Sequence, residues 1–241
     1  MQPVPRRIAI QADFRAADPV GEAATLRRAT PADVPALRAV LARAFDADPL
    51  INSLVRQDGR RSARMEAFFD VMLRQLSSEL SETYTTHDRA GAAIWKRETK
   101  LPVRDQLRLL PAFARIAGWA RLPALLQMLQ HMESMHAALL PEPHWMLHLL
   151  GVEPAQQRRG LGGLLLGPML ARCDREQSKA YLETSRALNL EFYRRHGFEV
   201  VHVDERAGWP KVWFMIRKPE LLPLARGVAD GGEGTSCVGT S

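Results

Sequence analysis

Between Leu147 and Phe198 the chain reads LHLLGVEPAQQRRGLGGLLLGPMLARCDREQSKAYLETSRALNLEFYRRHGF. A strand pattern gives way to a basic, glycine-containing turn. A helix pattern, a second strand pattern and a short helix pattern carrying Asn189 and Tyr193 follow. No other stretch constrains the fold as strongly. Trp145 to Val152 is apolar at nearly every position, as expected of a strand covered on both faces. A glycine-rich turn that opens a helix aims free backbone N–H groups at one point, and so builds a site for a diphosphate.

The turn itself is Gln157-Arg158-Arg159-Gly160-Leu161-Gly162, followed by Gly163. Glycine lets the main chain approach a phosphate where a Cβ would collide. Arg158 and Arg159 add charge, and the helix N-terminus adds its dipole. Pro154 ends the strand and forces an extended path into the loop. A Walker A loop is a poor fit, because no Gly-Lys-Ser/Thr follows. A dinucleotide-binding loop would need a third glycine and an acidic residue about 20 positions on. Glu183 stands near that distance, but that reading leaves Asn189 and Tyr193 without a role. Gly151, inside an apolar strand, marks a bulge or a close backbone approach. Pro168 falls inside the following helix, where proline costs about 3 kcal/mol, so a kink is expected.

Elsewhere the patterns are shorter. Residues 1–24, rich in Ala and Pro, read as an irregular arm, and Thr25 to Arg28 as a short strand. Thr30-Pro31-Ala32-Asp33 has the residues of a helix start, with Thr30 as N-cap and Pro31 at the first helical position. Val34, Leu37, Val40, Leu41 and Phe45 continue it at helical spacing, and Asp46 to Pro49 ends it. A second helix is predicted over residues 60–80, burying Met65, Phe68, Phe69, Met72, Leu73 and Leu76. Thr83 to Thr86 and Gly91 to Lys96 read as two strands joined by a turn. Residues 102–141 interrupt the strands with helical patterns punctuated by Pro111 and Pro123, and are expected to form an inserted lid. Trp119, Met128, Met132 and Met135 would be its adaptable surface. Glu199 to Val203 and Val212 to Arg217 suggest two last strands. The tail, 219–241, is Gly-rich and polar, a composition that buries too little apolar surface to order itself.

Composition narrows the function classes. The 241 residues are 46% hydrophobic and 25% charged, ordinary for a globular chain. No run of about 18 apolar residues suggests a membrane span, and the N-terminus lacks the apolar core of a secretory signal. Two cysteines, Cys173 and Cys237, give no disulfide framework, so a cytoplasmic location is expected. The net charge of +6 is scattered and not interleaved with aromatics, which argues against a nucleic-acid partner. It is densest around the turn, at Arg158, Arg159, Arg172, Arg175, Arg186, Arg194 and Arg195, where a polyanionic ligand would lie. His144 and His148 have no third ligand at metal spacing, so no metal is expected.

The Gln-x-x-Gly-x-Gly turn and the sequence Asn189-Leu-Glu-Phe-Tyr193-Arg-Arg-His-Gly197-Phe198 together resemble the core of the GCN5-related N-acetyltransferase (GNAT) superfamily. The likeness is good over residues 144–200 and looser over 25–96. His144-Trp145, the Leu-Leu-x-Pro-x-Leu pattern around Pro168, and Leu182-Glu183-Thr184 resemble the branch of puromycin N-acetyltransferase. The resemblance implies an α/β fold with a mixed sheet of six or seven strands, strands 4 and 5 splayed by a bulge, in a domain spanning residues 25–218. It implies acetyl-CoA as cofactor, held by Leu150, Gly151, Val152, Gln157, Arg158, Arg159, Gly160, Leu161, Gly162, Gly163, Asn189 and Tyr193. It also implies Tyr193 as the proton donor to the departing thiolate.

Acetyl transfer to an amine further needs a base, since an ammonium with a pKa of about 10.4 must lose a proton. Many members of the superfamily carry a glutamate on the fourth strand, and the matching position here is Met146. His148, two residues on and on the same strand face by alternation, and Glu183 on the next strand are the candidates. A backbone N–H near Leu150 to Val152 would hold the oxyanion. The expected acceptor is a primary amine of a small molecule, such as an antibiotic or a metabolite. A protein lysine or N-terminal amine is the alternative acceptor, and a non-catalytic acyl-CoA sensor the alternative class. The protein is expected to be a monomer or homodimer.

Overall fold

The structure, a computed structural model, describes residues 25–75, 82–97 and 103–220. The expectations for the N-terminal arm, Leu76, Cys237 and the tail beyond residue 220 lie outside those residues. Seven strands are present among them: β1 (Leu26–Arg28), β2 (Thr83–Thr86), β3 (Gly91–Arg97), β4 (Trp145–Val152), β5 (Ala180–Thr184), β6 (Glu199–Asp204) and β7 (Val212–Arg217). They form one sheet in the order β1-β2-β3-β4-β5-β7-β6. Only β4 and β5 run parallel. The helices are α1 (Val34–Ala44), α2 (Pro49–Leu54), α3 (Arg61–Gln75), α4 (Val103–Ala117), α5 (Leu122–Leu139), α6 (Leu161–Glu176) and α7 (Leu190–Arg195). No single described helix is long and apolar enough to cross a membrane.

The strands alternate their side chains between two cores, as a pleated sheet requires. Ala92 and Ile94 of β3, Tyr181 of β5 and Phe214 of β7 face a core built with Leu37, Leu41, Phe69 and Met132 from α1, α3 and α5. Ala93, Trp95, Leu182 and Met215 face the other, with Leu165, Leu166, Met169 and Cys173 of α6 and Tyr193 of α7. Cys173 is fully buried, as its helix position predicts.

The start predicted at Thr30 holds, with a difference. Pro31–Asp33 form a 3-10 turn, and the α-helix begins at Val34. The Asp33 carboxylate turns back to accept the backbone N–H and hydroxyl of Thr30, each at 2.9 Å. It also takes Arg27 at 2.7 Å and Arg89 at 2.6 Å. Asp48-Pro49, read from sequence as the end of α1, is instead the N-cap and first residue of α2. The Asp48 side chain accepts the Ile51 N–H at 3.0 Å. The inserted segment is α4, a 3-10 turn at Trp119–Arg121 and α5. Helix α6 continues through Pro168 without interruption.

Two features shape the centre of the sheet. β4 pairs with β5 only through Trp145–Ala180, Met146–Tyr181 and Leu147–Leu182, after which the strands part. Against β3, Ile94 stands opposite Leu149 and Trp95 opposite Leu147, which leaves His148 as an extra, bulged residue. The bulge is therefore at His148 and not at Gly151, which pairs regularly with Ala92. Gly151 serves close packing instead. A Cβ there would lie 2.6 Å from Leu41 Cδ2 and 3.2 Å from Ala44 Cβ. The bulge also breaks the alternation from which His148 was assigned to Met146's strand face. Leu149 takes that place, packing with Met146 in the α1 core.

Candidate active site

The anion loop lies where β4 hands over to α6. After a 3-10 turn at Pro154–Gln156, the Gln157 side chain donates to the Val152 carbonyl at 3.1 Å and pins the loop to the strand end. Gly160 sits at the N-cap of α6 with φ of 83°, a left-handed conformation that favours glycine. It offers no capping side chain, so the N–H groups of Leu161, Gly162 and Gly163 stay available at the positive end of a 16-residue helix. Arg158 and Arg159 are exposed beside them and pair with no described residue. Gly162 and Gly163 have a second reason to be small. A Cβ would stand 3.0 Å from the Phe192 ring in one case and 3.0 Å from His196 Nε2 in the other. The Leu161 side chain is buried in the α6 core, so only its main chain faces the loop.

The parting of β4 from β5 opens a cavity that α2, α3, α4 and α5 close on the far side. Its lining includes Met146, His148, Leu150, Glu183, Asn189 and Tyr193. The structure thus brings together the three catalytic candidates and two of the strand and helix residues expected at the cofactor. Gly151 and Val152 continue β4 toward the anion loop. Asn189 ends a 3-10 turn as the residue before α7, and its amide donates to Thr184 Oγ1 at 3.3 Å. From the insert, Phe113, Met128 and Met132 reach the cavity. Met135 packs against the neighbouring core, and Trp119 is 71% exposed, so neither is a wall residue.

The chemistry of these groups differs with their surroundings. Burial, and secondarily the charge of Asp48, pushes the Tyr193 phenol well above its ordinary value, so it keeps its proton. No described residue hydrogen-bonds that hydroxyl. Burial raises Glu183 to about 7, against the opposing pull of the Tyr181 hydroxyl, which donates to it at 2.6 Å, and of the Lys96 charge. Burial lowers His148 well below an ordinary histidine, and nearby Lys96 lowers it further. Its Nδ1 is buried with no hydrogen-bond partner among the described residues. Burial thus moves the two in opposite directions, His148 toward its neutral form and Glu183 up to about 7.

Sequence reading missed the groups that support this centre. Tyr181 is sandwiched against His136 of α5, the two rings parallel with centroids 4.0 Å apart. His136 Nε2 in turn lies 2.7 Å from His144 Nε2, and His144 Nδ1 donates to the Glu142 carbonyl. The insert is therefore stacked on the tyrosine that holds Glu183. Asp48 and Ser185 also line the cavity, and the Ser185 hydroxyl donates to Asp48 at 2.9 Å. The Asp-Pro pair was the available signal for Asp48; nothing in the sequence marked Ser185. Among the described residues no group of three or more His, Cys, Asp or Glu is placed to hold a metal ion.

Comparisons with known proteins agree with this geometry. Residues 127–200 match the family model of the acetyltransferase (GNAT) domain. The structure of a Corynebacterium glutamicum protein described as histone acetyltransferase HPA2 and related acetyltransferase superposes with a TM-score of 0.60 at 21% identity, covering 84% of this chain and 99% of that one. Arylalkylamine N-acetyltransferase 2 from Aedes aegypti gives 0.56 at 14%, covering 81% and 99%. Polyamine N-acetyltransferase from Drosophila melanogaster gives 0.55 at 13%, covering 80% and 99%. At these identities the likeness is one of fold. The seven-stranded mixed sheet with flanking helices is the fold of these structures, and residues 127–200 are the part that matches the family model.

Proposed function

We propose that this protein is an acetyl-CoA-dependent N-acetyltransferase acting on a primary amine of a small molecule. One observation carries the reading. The parting of β4 from β5 opens a cavity lined by Tyr193, and β4 itself leads on to an uncapped helix N-terminus beside Arg158 and Arg159, which pair with no described residue. The residues fit the cofactor: left-handed Gly160 has nothing within 4 Å of where a Cβ would stand, leaving room for a diphosphate. Gln157 to Gly163 would hold that diphosphate, and Leu150, Gly151, Val152 and Asn189 the arm that follows. Acetyl-CoA, when bound, supplies the acetyl thioester.

The chain's own groups divide the remaining work. Tyr193 holds a proton at Oη for the leaving thiolate. Glu183, half ionised near pH 7, accepts the proton of the amine. His148 is the second candidate for that task, and its position on the bulge supports it. The backbone N–H groups from Leu150 to Val152 hold the developing oxyanion. Glu183 on β5 offers a carboxylate where Met146 on β4 has none, which favours catalysis over a sensor role. The patterns at His144-Trp145, Leu182-Glu183-Thr184 and Pro168 support a place near the puromycin N-acetyltransferase branch.

The test is release of free thiol from acetyl-CoA across a panel of amines, beside calorimetry of acetyl-CoA binding. Amine-dependent release is expected. The double substitution Arg158→Glu, Arg159→Glu should weaken acetyl-CoA binding by about tenfold or more through repulsion of the diphosphate. Tight binding without thiol release for any amine would assign the sensor role. Unchanged affinity in the double variant would remove the cofactor assignment.

A further inference from the structure

The cavity holds a second carboxylate, Asp48, whose charge is felt at Tyr193. Asp48 is 6% exposed and lines the cavity. Its oxygens accept the Ile51 N–H at 3.0 Å and the Ser185 hydroxyl at 2.9 and 3.0 Å. Among the described residues no Lys, Arg or His pairs with it. A buried carboxylate is costly to keep unless a positive partner arrives. Around it the walls are apolar: Phe45, Phe68, Met72, Phe113, Met128 and Met132. The other lining carboxylate, Glu183, is engaged by Tyr181 and lies in the field of Lys96, which disfavours a second ammonium there.

We propose that Asp48 is the acceptor anchor, and that the acceptor is a primary amine with one positive charge on an apolar, aromatic-sized body. Its one nitrogen docks as the ammonium at Asp48, whose charge reaches Tyr193, and from there gives its proton to Glu183 and becomes the nucleophile, while its body lies against the phenylalanine and methionine walls. This rests on the acetyltransferase reading and goes beyond it by naming the substrate class. A polyamine would leave its second ammonium against apolar walls, with only Glu183, already engaged by Tyr181 and in the field of Lys96, as a further lining carboxylate. A lysine peptide would set backbone amides against the same walls, where they lose water and gain no partner.

The experiment measures thiol release from acetyl-CoA with 2-phenylethylamine, putrescine, spermidine and a lysine-containing peptide. The expected kcat/KM for 2-phenylethylamine exceeds the others by about tenfold or more, the discrimination a pocket of matched polarity gives. Asp48→Asn keeps a good N-cap for α2 and removes the charge. It should raise the KM for 2-phenylethylamine about tenfold or more and change the KM for acetyl-CoA by less than about twofold. A measurement without a variant stands beside it. The neutral 2-phenylethanol should compete with the amine at least about tenfold more weakly than a methylated 2-phenylethylamine that keeps the charge. Met128→Glu, which adds a carboxylate to the far wall, should raise the putrescine to 2-phenylethylamine ratio. Preference for polyamine or peptide, with thiol release intact, overturns the substrate class and leaves the transferase reading standing. Equal competition by alcohol and charged amine, or an unchanged amine KM in folded Asp48→Asn, overturns Asp48 as the anchor. Acetyl-CoA binding with no release for any amine overturns the transferase reading and this inference with it.

Discussion

If Glu183 takes the proton from the amine, the rate must follow its ionisation. Burial places that carboxyl at about 7. For the wild type, kcat/KM for the amine should rise with pH through a break near 7. The groups acting on Glu183 are Tyr181 and Lys96, and Asp48, His148 and Tyr193 share its cavity. Tyr181→Phe removes only the hydroxyl that donates to it at 2.6 Å. A hydrogen bond to a charged group contributes about 1.5–3 kcal/mol net. The same hydroxyl also serves the protonated acid, so only part of that separates the two forms. Taking about 1.4 kcal/mol, the break moves up by about one pH unit. At pH 7 the ionised fraction then falls from about one half to about one tenth, a loss of about fivefold that vanishes by pH 9.5. The assay is thiol release from pH 5.5 to 9.5. Glu183→Gln serves as the reference, because any titration of the amine itself persists in it. His148, held well below its ordinary value, would break the profile on the acid side of neutrality. The reasoning fails if Glu183→Gln keeps the break near 7, or if His148→Ala abolishes it.

Tyr193→Phe should lower kcat by about 10²-fold or more while acetyl-CoA affinity, read by calorimetry, changes by less than about twofold. A rate near wild type would make the tyrosine a packing residue. Gly151→Ala should destabilise by about 1–3 kcal/mol, because its Cβ meets Leu41 in a core without slack. Thermal unfolding should show a melting temperature lower by about 3–10 °C, and an unchanged value would mean that α1 can retreat freely.

The fold was legible where side-chain periodicity is long and buried. The nearly continuous apolar run of β4, the glycine turn and the α6 pattern indicate the centre of the sheet. Short elements were not. α2 is six residues long, and its Asp48-Pro49 start reads equally well as a helix stop, since proline both begins and ends helices. The bulge was expected, but at the wrong residue. Glycine in a strand marks either a bulge or a close approach, and the closeness of Leu41, 110 positions away in sequence, decided for the second. Tyr193, Glu183 and His148 were readable as residue types. That burial moves Glu183 and His148 in opposite directions was not, because desolvation depends on what α5 and β3 lay over them. The lid assignment fared likewise. Helical spacing indicated an insert, but only packing separates Met128 and Met132 on the cavity wall from Trp119 in solvent.

Three residue pairs at one end are all that joins β4 to β5. Strands β1 to β4 form one leaf and β5 to β7 another, with α6 laid over the join like the spine of a book. From Leu149 onward, the side of β4 that faces away from β3 has no strand opposite it. Proteins usually keep such bare edges at the rim of a sheet and shield them there; here the edge is internal. Beyond that short pairing the leaves are held by side chains that meet in the two cores. Whatever lies in the gap then acts as the missing rung, stitching the leaves along their length and raising the free energy at which they part.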